Sequence, residues 1–219
     1  MNEAKEGKRV VLFLDAAHLV HSVFLGYLWS SKRLFIRSSS GRKRYNVLGA
    51  LDALSLKIDK FSNESYINAE VVMKFLKELR IKYDEKPITI LLDNARYQHC
   101  KCCIKLAEEL NIELNFLPSY SPNLNLIERY WKWVKKRCLY SKYYENVERF
   151  KDAIDECLER KTVECKNKLK SLICFSLVLY DGLLGLSTPL LPQLLQRYCW
   201  LPQAFFPFSP ALHCHILGR

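Results

Sequence analysis

Two features of this sequence predict an α/β fold with a mixed sheet that is flanked by helices. Short apolar runs rich in β-branched residues, at 10–14 and 88–92, are typical of buried strands. Other segments carry apolar residues that recur with a helical period. At 219 residues, the chain has room for one domain of this kind with a proper core.

The first half of the chain is predicted to form an antiparallel meander. Strand-like segments at 26–29 and 45–51 follow the first strand, and a polar turn at 38–44 lies between them. A helix is predicted over 68–82, because its apolar residues form one stripe that can face a core.

The second half alternates strands and helices and is predicted to contain a β-α-β unit. In order, its elements are a strand at 88–92, a helix at 102–110, a strand at 112–117, a loop at 118–122, and helices at 124–139 and 147–160. Asn123 is the expected N-cap of the first of these last two helices, because asparagine is favoured at that position.

The composition changes near Ser171. Residues 173–219 hold three charged side chains but five of the eight prolines, and they match no helix or strand period. Glycine and proline also interrupt every window of about 20 apolar residues that a membrane span would need. We therefore expect 172–219 to be an irregular apolar tail, either out of frame or disordered.

Lysine and arginine outnumber aspartate and glutamate by 34 to 23, which favours a polyanionic partner such as nucleic acid. Nine cysteines are present, but Cys100, Cys102 and Cys103 have no second paired cluster at zinc-site spacing. The odd number of cysteines and the polar N-terminus, which lacks a signal peptide, predict a cytoplasmic protein.

Three carboxylates are the strongest candidates for chemistry. Asp15 and Asp93 directly follow the two apolar runs, and ligands of open α/β sheets collect at the carboxyl ends of strands. Glu128 lies in a helical segment, with 34 residues between it and Asp93. Carboxylates are the ligands that Mg²⁺ and Mn²⁺ prefer, and two such ions can promote phosphodiester chemistry. Alternatively, the aspartates cap the turns that follow them and Glu128 is a solvated helix residue.

Other candidates surround these three. His18 is three residues beyond Asp15 and could reach the same cleft, or it could be a satisfied core histidine. Arg96 could contact a phosphate, or it could simply be solvated.

Aromatic and basic residues alternate over 128–137, a pattern that suits nucleic acid. Helical spacing places Tyr130 and Trp131 on an apolar stripe with Ile127 and Val134, so we expect Trp131 in the core. The residues that should then be exposed are Lys132, Lys135, Lys136 and Arg137. A second basic patch, at 42–44, could instead be an ordinary solvated turn.

Taken together, the motifs resemble the DDE transposases of bacterial insertion sequences in the mariner-like superfamily. The resemblance extends over roughly residues 9–160 and reproduces the 34-residue interval. The segments that carry it are Leu14–His18, Gly41–Ala50, Leu92–Tyr97 and Leu117–Trp131.

This resemblance implies a ribonuclease H-like fold in which Asp15, Asp93 and Glu128 bind two Mg²⁺ ions, with Mn²⁺ as a substitute. Water would attack a phosphodiester at a transposon end, and the freed 3′-hydroxyl would then attack target DNA. The expected partners are double-stranded DNA, at transposon ends and target, and a second copy of the chain in a homodimer on DNA. No membrane and no organic cofactor are expected, and the cytoplasmic protein would be nucleoid-associated when bound to DNA.

The residues expected to support the metal ligands or contact DNA are His18, Arg42, Lys43, Arg44, Asn94, Arg96, Asn125, Arg129, Lys132, Lys135 and Lys136.

The expected organisation is a polar lead at 1–8, a catalytic domain at 9–165 and the atypical tail at 172–219. Members of the family usually carry helix-turn-helix domains ahead of this core. Because only about fourteen residues precede Asp15, we do not expect sequence-specific recognition of transposon ends from this chain.

Two alternatives to an active transposase are compatible with parts of this pattern. One is a catalytically idle DNA-binding fragment that keeps the fold and the charge. The other is a dehalogenase-like phosphatase, which needs a second aspartate two residues after the first. Ala17 occupies that position, so the sequence disfavours a phosphatase.

Overall fold

The structure is a computed structural model, and it describes residues 2–24, 32, 35, 37, 38, 43–84, 86–118, 125–167, 169 and 170. Its strands are β1 Val10–Val20, β2 Arg44–Asp52, β3 Ile58–Asn63, β4 Ile88–Leu92 and β5 Ile112–Phe116. Its helices are α1 Asn2–Lys5, α2 Ala69–Tyr83, α3 Lys101–Glu109, α4 Leu126–Val134, α5 Val147–Glu156 and α6 Thr162–Glu164. Two π-helical segments, Lys135–Leu139 and Cys157–Lys161, extend α4 and α5.

The five strands form one mixed sheet in the order β3-β2-β1-β4-β5. The pairs β1–β2 and β2–β3 are antiparallel, whereas β1–β4 and β4–β5 are parallel. The predicted architecture, a mixed sheet flanked by helices, is therefore confirmed. The meander consists of β1, β2 and β3, and the predicted strand at 26–29 lies outside the described residues.

The prediction that the first strand ends before Asp15 is wrong. β1 continues to Val20, because its antiparallel partner β2 pairs with it as far as Val20, whereas its parallel partner β4 pairs only as far as Leu14. The side chains beyond Asp15 also alternate as a strand requires, since Ala17 and Leu19 are buried and His18 is exposed. Asp15 therefore lies within β1, at the point where β4 ends.

The edge strand β3 was not predicted. Its sequence mixes polar residues with two apolar ones, and most of its side chains are half-buried. β3 thus has no continuous apolar run that could indicate a strand, and it is held by pairing with β2.

Helices cover both faces of the sheet. On one face, the buried residues of α2 and α3 pack against inward side chains of β1 and β4; they include Leu12, Leu14, Val72, Phe75, Leu76, Ile90, Leu92, Cys103 and Ala107. On the other face, α4 and α5 supply a second core that includes Phe13, Ala17, Val47, Leu91, Ile127, Tyr130, Trp131, Val134, Phe150 and Ile154.

Asparagine occupies the N-cap position of both α2 and α4. Asn68 caps α2 as its side chain accepts a hydrogen bond from the Val71 N–H at 3.0 Å. The prediction of Asn123 as the cap of the following α4 is wrong, because α4 begins at Leu126 and its N-cap residue is Asn125. Helical periodicity continued to 139 because the π-helical segment keeps Cys138 and Leu139 in the core.

Within the described residues, no helix is both long and apolar enough to cross a membrane. The six cysteines in that part of the chain are free thiols.

Candidate metal centre

Asp15 and Asp93 are neighbours across the parallel strands β1 and β4. Leu14 and Leu92 form the last register pair between these strands; Asp15 is the next residue of β1, and Asp93 is the first residue after β4. Both leucines face the core beneath α2 and α3. Since side chains alternate along a strand, the two aspartates are directed to the opposite face, where α4 packs.

Glu128 approaches the same place from α4. The buried side chains of α4 lie on one stripe, and they are Leu126, Ile127, Tyr130, Trp131 and Val134. This stripe fixes α4 on the sheet beside β1 and β2, and Glu128, in the first turn, is half-buried rather than solvated. The three carboxylates thus come from two strands and one helix but share one region.

The electrostatics of Asp15 reflect this crowding. Burial, together with the negative charges of Asp93 and Glu128, raises the pKa of Asp15 to about 7, although the Ala16 backbone and the Trp131 side chain lower it. The pKa of Glu128 is also raised, chiefly by burial and further by Asp93, while the nearby Lys132 lowers it. Both shifts mean that negative charge in this region is incompletely compensated by the protein.

Trp131 forms one wall of the site. Asp15 is paired in register with Gly49, and the indole ring of Trp131 lies against Gly49. The Trp131 side chain is buried, and its Nε1 atom has no partner at hydrogen-bond geometry among the described residues. Its N–H nevertheless lies close enough to Asp15 to lower the pKa of that carboxyl group.

Two polar side chains near Asp93 were not singled out from the sequence. Burial, and then the charges of Asp93 and Asp15, raise the pKa of Tyr97 to about 12. Gln98 is completely buried, and its amide can donate to the Asp93 side chain and backbone. Nothing in the sequence separates these residues from ordinary turn residues, because their roles depend on how the chain folds back after β4.

Of the two interpretations of His18, the structure does not favour the one in which it reaches the cleft of Asp15. Residues three positions apart on a strand face opposite sides, and β1 continues through both. The His18 ring lies instead beside Asn46, with 2.8 Å between Nδ1 and Oδ1. By the same alternation, Arg44 falls on the face of His18 rather than on that of Asp15.

The other predicted residues occupy varied positions. Asn94 donates to the Leu117 carbonyl oxygen at 2.9 Å, so its amide joins the ends of β4 and β5. Arg96 is exposed, and Arg129 is half-buried, with its pKa lowered by burial. Asn125 is buried, and neither of its amide atoms has a hydrogen-bond partner among the described residues.

The predicted basic residues are only partly described. Lys132 and Lys136 are exposed, whereas Lys135 is half-buried rather than exposed as expected; all three lie on α4 or the π-helical segment that follows it. Lys43 is exposed just before β2, and Arg42 lies outside the described residues. Trp131 belongs to the core, as predicted.

The donor chemistry fits a hard divalent cation. Three carboxylates offer oxygen ligands only, and a cation would offset both the burial and the repulsion by Asp93 and Glu128 that raise the pKa of Asp15. In the described part of the chain, no group of three or more acidic, histidine or cysteine side chains is arranged so that it could already hold an ion. The three carboxylates thus form a shared electrostatic site rather than a closed coordination shell.

A family model described as DDE superfamily endonuclease matches residues 10–151, which include all three carboxylates. A search of curated proteins found no match.

Solved transposase structures share the fold. A pre-cleavage Mos1 transpososome is 14% identical over 80% of this chain, with a TM-score of 0.55. The Mos1 strand transfer complex is 16% identical over 90% of the chain, with a TM-score of 0.58. A Mos1 mariner paired-end complex with Mn is 18% identical over 76% of the chain, with a TM-score of 0.56.

These matches cover 58%, 56% and 52% of the respective Mos1 chains, so this chain spans less than three fifths of their length. At these identities the likeness concerns the fold. The mixed sheet flanked by helices is the ribonuclease H-like fold of transposase catalytic cores, as the family resemblance implied.

Proposed function

The chain belongs to the DDE superfamily of endonucleases, and from this premise we propose that it is the catalytic core of an insertion-sequence transposase. The proposed reaction is divalent-metal-dependent cleavage of DNA, followed by strand transfer into target DNA. The observation that carries the proposal is the convergence of Asp15, Asp93 and Glu128 at the end of β4, under α4, within the residues that the family model matches.

Asp15, Asp93 and Glu128 would hold the cations, and we expect two Mg²⁺ ions, with Mn²⁺ as a substitute. Bound ions of this kind activate the attacking oxygen and stabilise the leaving oxygen of a phosphodiester. The protein itself supplies position and charge: Asp15 is fixed within β1, Asp93 directly after β4, and Glu128 by the packed stripe of α4. No nucleophilic side chain is required for chemistry of this type.

Double-stranded DNA, as transposon end and target, is the proposed substrate. Lys132, whose charge acts on Glu128, is exposed, as is Lys136 in the π-helical segment that follows α4, and the chain carries a net charge of +11. Lysine contacts to phosphates would position the duplex without reading its sequence. We further propose that two copies of the chain act together on DNA, with 9–165 as the catalytic domain of each.

Nicking of supercoiled plasmid by the full chain in Mn²⁺ tests the proposal. Glu128→Gln keeps the size of the side chain but removes a ligand charge, and we expect it to abolish nicking. Glu148→Gln is the matched control, because Glu148 is also an acidic residue in the first turn of a helix but is exposed on α5; this variant should nick normally.

Equal nicking by wild type and Glu128→Gln would contradict the proposal. If the folded wild-type chain binds DNA but no variant nicks it, the chain is instead a catalytically idle DNA-binding fragment. DNA affinity should survive Glu128→Gln in either case, because the phosphate contacts come from lysine and arginine side chains.

A further inference from the structure

Gln98 is a buried neutral residue that is bonded directly to a candidate metal ligand. It is one of the few buried polar residues in the described part of the chain, and its exposed fraction is 0%. With its amide nitrogen facing Asp93, Gln98 donates to Asp93 Oδ1 at 2.6 Å and to the Asp93 carbonyl oxygen at 3.1 Å. One side chain therefore fixes both the carboxylate and the backbone of Asp93.

The turn after β4 brings Gln98 back to this position. The backbone N–H groups of Gln98 and His99 both donate to the Ala95 carbonyl oxygen, at 2.9 and 3.1 Å. The Ala95 N–H donates in turn to Asp93 Oδ1 at 3.2 Å. The turn is thus closed by bonds that leave the Gln98 amide directly beside Asp93.

These contacts make the two oxygens of Asp93 unequal. Oδ1 accepts from the Ala95 N–H and from Gln98, whereas no donor among the described residues reaches Oδ2. A hydrogen-bonded carboxylate oxygen is held in place, and the second oxygen keeps its lone pairs for another partner.

We propose that Gln98 is a positioning residue for the metal site, which holds Asp93 so that Oδ2 is presented to the cation. This inference rests on the function proposed above. Outer hydrogen bonds of this kind orient metal ligands, and their loss commonly costs about 10–100-fold in metal affinity. Because Gln98 is a neutral amide, it orients the carboxylate of Asp93 without neutralising the negative charge that would bind the cation.

The test is Mn²⁺ affinity of the full chain, measured from the electron paramagnetic resonance signal of free Mn²⁺. Gln98→Met keeps the length of the side chain and its burial but removes the donor. We expect it to weaken Mn²⁺ binding about 10–100-fold.

Thr89→Val is the matched control for loss of a buried polar group. Thr89 lies on β4, the strand that precedes Asp93. Its hydroxyl accepts a hydrogen bond from Arg9 at 2.8 Å and donates to Glu113 at 2.9 Å, away from Asp15, Asp93 and Glu128. This variant should lower the melting temperature and leave the Mn²⁺ affinity at the wild-type value. If Gln98 had only a structural role, Gln98→Met would likewise lower the melting temperature and leave the Mn²⁺ affinity unchanged.

The outcomes separate the inference from the proposed function. Weaker Mn²⁺ binding by Gln98→Met, with wild-type binding by Thr89→Val, supports the positioning role. If wild type binds Mn²⁺ and Asp93→Asn loses it, but Gln98→Met binds as wild type, the positioning role is overturned and the metal site stands. If wild type does not bind Mn²⁺, both are overturned.

Discussion

The indole ring of Trp131 lies directly against Gly49, the register partner of Asp15. A Cβ atom at position 49 would lie 2.7 Å from Trp131 Cζ2 and 2.9 Å from Cη2, distances that real contacts do not tolerate. Position 49 therefore admits the indole only because glycine has no side chain. This contact sets how closely α4 approaches β2, and thereby where α4 presents Glu128.

Gly49→Ala should destabilise the protein by about 1–3 kcal/mol, the usual cost of overpacking a core. It should also change the near-ultraviolet circular dichroism as Trp131 is displaced. The measurement is chemical unfolding of Gly49→Ala alone and in a Trp131→Phe background, where the smaller ring leaves room for the methyl group. An equal cost in both backgrounds would show that the indole does not limit this position.

Metal-free stability should depend on pH through Asp15. Its folded pKa, about 7, lies above the usual aspartate value of 3.8, so protonation favours the folded state. This contribution is fully present below about pH 4 and is lost as the pH rises through about 7; Glu128 acts in the same direction. Urea unfolding in the presence of a chelator should therefore show a free energy of unfolding that falls over this range.

Asp15→Asn should flatten that pH dependence and make the metal-free protein more stable than wild type at pH 8. The gain is at most about 4 kcal/mol, since one pKa unit corresponds to about 1.4 kcal/mol. A pH profile unchanged by Asp15→Asn would mean that Asp15 does not carry the buried charge.

His18→Ala should leave Mn²⁺ affinity and nicking unchanged, because His18 faces away from Asp15. We expect a loss of about 1 kcal/mol in stability from its contact with the buried Asn46. Mn²⁺ titration and chemical unfolding of the same sample check both expectations. A variant that unfolds normally but fails to bind Mn²⁺ would place His18 in the metal site after all.

Lys136→Ala should weaken binding to a DNA duplex and reduce the slope of log affinity against log salt by about 0.9, the value for one phosphate contact. Lys105→Ala is the control, because Lys105 is an exposed lysine of α3, on the opposite face of the sheet, where Glu109 already lies 4.0 Å away. Fluorescence anisotropy at several salt concentrations gives both slopes. Equal slopes for the two variants would remove Lys136 from the DNA surface.

The sequence predicted the parts of the site that depend on local pattern. Asp15 and Asp93 directly follow apolar runs, and those runs pair as neighbouring parallel strands, so the two carboxylates meet. Trp131 was placed in the core because the stripe of α4 has a helical period. In each case the signal came from one or two short segments of sequence.

Features set by distant pairing could not be predicted. The extent of β1 beyond Asp15 depends on its pairing with β2, and this extent decides which face of the sheet His18 occupies. Gln98 meets Asp93 only when the turn after β4 closes. Glycine is required at position 49 only because Trp131 packs against it. Such roles follow from tertiary contacts that leave no periodic trace in the sequence.

The most direct test of the metal centre is Mn²⁺ binding to the full chain by isothermal titration calorimetry, with three single variants and one control. We predict that Asp15→Asn, Asp93→Asn and Glu128→Gln each weaken binding by about 10-fold or more, whereas Glu148→Gln binds as wild type. Wild-type affinity in all three carboxylate variants would contradict a shared site formed by Asp15, Asp93 and Glu128.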